Sequence, residues 1–92
     1  MQTFFSPHAL VRMRQRGIDP RQIDTILDWG LEFPQRNGRV AYLFGRRQAR
    51  RAALPGWLAR RLAGTVVVLA SDGTVVTAIR TGSTRRLRRW NR

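Results

Sequence analysis

Cysteine is absent from this 92-residue chain, and so is lysine. Without thiols there is no disulfide scaffold, no thiolate zinc site and no cysteine nucleophile. Without lysine there is no Schiff base and no P-loop. Histidine occurs once and acidic residues five times. One imidazole does not make a zinc site, and five scattered carboxylates are poor material for a calcium or magnesium cage. No metal and no cofactor is therefore expected. Apolar runs such as Val66 to Ala70 are too short to span a bilayer, and Met1 to Phe5 is too short for the apolar part of a secretion signal. The expectation is a cytoplasmic protein of a prokaryote or phage, or a C-terminal module of a larger toxin, with no membrane partner.

Arginine is what the chain has in abundance. All 18 basic residues are arginine, and the formal net charge is +13. Such a field selects anionic partners, with nucleic acid first, acidic protein second and anionic membrane third. A codon bias that turns lysine into arginine leaves net charge untouched, so it does not explain the shortage of acids. Arginine also brings bidentate phosphate recognition and stacking on bases. A hydrophobic share of 42%, with three Trp, one Tyr and four Phe, suffices for one core. Residues 1–92 are read as one domain.

Local signals predict the elements. Ser6 caps a helix that starts at Pro7 and stops at Gly17, with Phe5 placed to staple onto Leu10. Leu10 and Met13, with Ala9 beside them, are its expected core face. Asp19, Pro20 and Gln22 start a second helix through a capping box, Ile18 can staple onto Ile23, and Gly30 closes it. Ile23, Ile26 and Leu27 should bury, and Trp29 reads as packing beside them. Extended segments follow at Leu31 to Gln35, weakened towards an edge by Pro34, and at Val40 to Phe44, Gly64 to Ala70 and Thr74 to Thr81. Asn37-Gly38 and Ser71-Asp72-Gly73 are hairpin turns. The order predicts an α+β fold, two N-terminal helices packed on a three- to four-stranded antiparallel sheet. Arg46 to Leu62, with six Arg, reads as either two short helical turns or a mobile basic loop. Residues 82–92 read as a basic arm, or as a last helix with Leu87 and Trp90 docked.

Candidate chemistry concentrates on the first helix. His8, Arg12 and Arg16 follow at i, i+4 and i+8 and share a face, with Gln15 beside them. An imidazole moves protons near neutral pH, and guanidiniums hold a phosphate and the extra charge of its transition state. The plainer reading is a His tidying a helix start and Arg on a solvated face. Arg80 on the last strand suits phosphate contact, with Thr77 in support, although three residues apart on a regular strand they face opposite sides. Tyr42 is a general-acid candidate or a core rim, and Trp29, Trp57 and Trp90 could stack on bases, with packing the favoured reading of Trp29. Arg46, Arg47, Arg50 and Arg51, with Arg85, Arg86, Arg88 and Arg89 of the tail, are the expected nucleic-acid contacts.

Ser6-Pro7-His8-Ala9, Arg12-Met13, Gln15-Arg16-Gly17-Ile18 and the closing Val75-Val76-Thr77-Ala78-Ile79-Arg80 resemble a family of small bacterial proteins known as domain of unknown function 4258. That family looks like a branch of the RelE/ParE-type toxin group, which shares a two-helix, antiparallel-sheet fold with several microbial ribonucleases. The resemblance implies a metal-independent ribonuclease, or a relative that has lost activity. It would make His8 the proton-transfer residue, set Arg12, Arg16 and Arg80 on the phosphate, and leave Thr77 in support. Lysine, which ribosome-dependent relatives often use, is missing here, and a catalytic carboxylate has no evident counterpart. The leading expectation is thus a toxin-type endoribonuclease acting on RNA, free or on the ribosome, and held by an acidic antitoxin or immunity protein. The alternatives are a non-catalytic RNA- or DNA-binding module, and a ParE-like toxin that clamps a protein such as gyrase.

Overall fold

A computed structural model of the chain describes residues 3–80. Helix α1 (Pro7–Arg16) forms where its caps demand. The Ala9 amide donates to Ser6 Oγ at 3.1 Å, Pro7 needs no partner for a missing N–H, and Gly17 turns left-handed at φ 64°. The Ile18 amide then closes back on the Met13 carbonyl at 2.9 Å. Helix α2 (Pro20–Trp29) opens on a reciprocal capping box, with Gln22 N donating to Asp19 Oδ1 at 2.9 Å and Asp19 N donating to Gln22 Oε1 at 3.1 Å. Gly30 ends α2 in extended backbone, and its role is space. A side-chain carbon there would fall 2.4 Å from the Ile26 carbonyl oxygen and 3.1 Å from Tyr42 Cβ.

Four strands make an antiparallel meander in the order β1 (Leu31–Pro34), β2 (Val40–Phe44), β3 (Thr65–Leu69), β4 (Val75–Arg80). Pro34 ends the edge strand β1, where no ladder amide is missed. Asn37 (φ 62°) and Gly38 (φ 73°) make the β1–β2 turn, and both left-handed residues are what a hairpin reversal of this twist requires. The β3–β4 turn is braced by the Thr74 amide on Asp72 Oδ1 at 2.9 Å, a contact that holds this carboxyl below the usual range. Phe5 adds a parallel bridge to Val75, and the Ser6 amide reaches the Val75 carbonyl at 2.9 Å. This pairing starts α1 alongside β4.

The helices supply one side of the main core. Ala9, Met13, Ile18, Ile23, Ile26, Ala49 and Leu62 meet Phe44, Val67, Val75 and Ala78 of the sheet. The other sheet face carries a second apolar cluster of Ala41, Leu43, Val66 and Val68. Leu10 departs from the expectation: it is 46% exposed, while Ala9 and Met13 are buried. Those two lie four residues apart on the stripe that meets β4, and the alanine lets the helix approach closely; Leu10 lies about 100° round the helix from Ala9. Trp29 also differs, being 47% exposed rather than packed. No helix among the described residues is long and apolar enough to cross a membrane.

Candidate functional site

The stretch from Arg46 to Leu62 is two short helices, α3 (Arg46–Arg51) and α4 (Gly56–Leu62), inserted between β2 and β3. At the start of α3 the Gly45 amide donates to Gln48 Oε1 at 2.9 Å. Ala53 then turns left-handed at φ 54°, and the Pro55 carbonyl accepts the Leu58 and Ala59 amides at 3.0 and 2.9 Å. Ala49 and Leu62 sink into the main core and anchor the pair. On return, the Gly64 amide bonds the Phe44 carbonyl at 2.8 Å, so the excursion leaves and rejoins the sheet at one point.

Between α3, α4 and the adjoining end of the sheet lies an open groove of about 960 Å³. Arg46 and Arg50, one turn apart on α3, line it together with Arg60 of α4 and Arg80 of β4. Ala49, Ala59 and Leu54 give it an apolar floor. None of the five carboxylates is on its lining. Four arginines therefore line one hollow with no carboxylate side chain among its described lining residues. Arg80 is oriented by donating through Nη2 to the Arg61 carbonyl. Arg61 in turn lays its guanidinium over Gly17, where a side-chain carbon would fall 2.3 Å from Arg61 Nη2. A cation there faces the negative end of the α1 dipole. Directly across the β3–β4 ladder from Arg80 sits Thr65, fully buried, with a hydroxyl that has no hydrogen-bond partner among the described residues.

The candidate residues separate into groups. Arg46, Arg50 and Arg80 share the groove, whereas Arg47 and Arg51 are exposed on α3 without lining it. His8 is exposed in the first turn of α1, and Arg16 is exposed in its last, about 12 Å of helical rise away. Arg12 between them is half-buried and donates to Gln15 Oε1 at 3.4 Å. These three do not line the groove. Thr77 stands opposite Val68 and Arg80 opposite Thr65. The irregularity in this ladder falls between Val75 and Thr77, so it leaves Thr77 and Arg80 on opposite faces. Tyr42 pairs across the ladder with Glu32, and burial, then that carboxylate, raises its pKa above the ordinary phenol value, which keeps it protonated. Arg85, Arg86, Arg88 and Arg89 lie outside the described residues.

Arg60 is the groove residue missing from the expected contacts. Its signal was the Arg60-Arg61 pair inside the same Ala- and Arg-rich stretch. The groove's described lining holds no His, Asp, Glu or Tyr, and what its arginines can offer a ligand is bidentate guanidinium donors of the kind that suit an anion. Among the described residues no group of three His or carboxylate side chains could hold a metal ion. Compared with known proteins, the chain matches no family model, no curated protein and no solved structure.

Proposed function

We propose that this protein is a nucleic-acid-binding module whose α3–α4 groove holds the phosphate backbone. The observation that carries this reading is the set Arg46, Arg50, Arg60 and Arg80 on one groove whose described lining residues include no carboxylate. A phosphodiester chain supplies anions at regular spacing and flat apolar faces between them, which suits guanidiniums raised above a floor of Ala and Leu. A net charge of +13 adds long-range steering to such a polymer.

The test is binding of labelled RNA and DNA oligonucleotides over a range of salt, in wild type and in Arg46→Gln/Arg50→Gln/Arg60→Gln. Wild type should bind with a steep salt dependence, and the triple variant should lose about two to three units of the log–log slope. A variant with unchanged slope overturns the reading. Hydrolysis of RNA by His8, the activity implied by the resemblance, is the second reading, supported by the exposure of His8 one turn from Arg12 on α1. RNA cleavage in EDTA that His8→Ala abolishes would move the function to that helix. On this toxin reading, an acidic antitoxin would cover the arginines.

A further inference from the structure

We infer that the groove takes single-stranded rather than duplex nucleic acid, with one unpaired base stacked on Trp57; this rests on the binding function proposed above. Trp57 is 60% exposed, an indole presented to water at the start of α4. Its chain neighbour Gly56 lines the groove, and Arg60, three residues on and therefore on the same side of the helix, lines it too. Apart from its chain neighbours and the backbone of α4, no heavy atom of the described residues lies within 4 Å of where a side-chain carbon at Gly56 would stand, so the rest of the fold leaves this lip of the groove open. A phosphate held by Arg60 thus brings the adjoining base within reach of a free aromatic face.

Strand form follows from this juxtaposition. In a duplex the base faces are stacked inside and only phosphates, sugars and base edges are offered, so Trp57 would gain nothing from it. A single strand splays its bases, and each has a face for an aromatic ring whatever its identity. The apolar floor of Ala49, Ala59 and Leu54 fits the same amphipathic polymer.

The experiment measures short oligo(U), oligo(dT), and hairpin duplexes of RNA and DNA, all at one salt concentration. A Trp29→Phe/Trp90→Phe protein leaves Trp57 as the sole indole for fluorescence. Binding of a single strand should quench Trp57 emission, and at least one single strand should bind about tenfold tighter than its duplex. Trp57→Ala should remove most of that preference while duplex affinity holds, and Trp57→Phe, which keeps a ring, should restore most of it. Oligo(U) against oligo(dT) tells which sugar is preferred, and single-strand preference with either supports the inference. Equal affinity for single strand and duplex, or no change in Trp57 emission, overturns it while salt-dependent binding still supports the groove. No salt-dependent binding to any of the four overturns both.

Discussion

Thr65 and Arg80 face each other across the β3–β4 ladder with very different fates. Arg80 reaches the groove and donates to the Arg61 carbonyl, while the Thr65 hydroxyl is buried with no partner among the described residues. An unpaired buried hydroxyl costs roughly 1–3 kcal/mol, and valine has nearly the same shape without it. Thr65→Val should therefore stabilise the fold by about 1 kcal/mol, read as a higher denaturant midpoint with an unchanged slope. A lower midpoint would mean that the hydroxyl has a partner after all. Nothing in the sequence marks Thr65, since a threonine at the start of a β-branched run is an ordinary strand former. Leu10 makes the converse point. It is apolar and well spaced for a core, but whether the stripe through Ala9 or the one through Leu10 turns inward depends on how α1 meets β4.

At the scale of elements, those with strong local punctuation were the legible ones. Ser6, Gly17, Asp19 with Gln22, and Asn37-Gly38 act within three or four residues of themselves, so their consequences do not wait for the rest of the chain. Ser6 has a second duty, because its hydroxyl also donates to the Val76 carbonyl at 3.2 Å and ties α1 to β4. Ser6→Ala should lower stability by about 1 kcal/mol or somewhat more, checked by chemical denaturation, with Ser6→Asn recovering the capping part. The sequence of α3 and α4 is ambiguous between helix and loop for a physical reason. At six and seven residues they are far below the length at which a helix holds in water by itself, and they persist by burying Ala49 and Leu62.

Over the whole molecule, charge is sorted by element. Asp19, Asp24, Asp28 and Glu32 lie along α2 and β1, whereas the groove arginines come from α3, α4 and β4. A chain of +13 repels itself when compact, and added salt screens that repulsion. The melting temperature of the free protein should accordingly rise with sodium chloride, over the same range in which nucleic-acid affinity falls; a flat or falling melting curve would count against self-repulsion as a significant term. The opposite signs are a useful signature, because general destabilisation by salt would move both downwards. Sequence alone determined the net charge and the arginine content, on which the proposed anionic partner rests, and the α+β order, through caps and turns whose physics is local. Tertiary structure decided which arginines line one groove: Arg46, Arg50, Arg60 and Arg80 are up to 34 positions apart in the chain and converge only because α3 and α4 fold back on the end of the sheet. It equally separated His8 and Thr77 from that groove, since the direction a side chain takes from a helix or strand is set by what the element packs against.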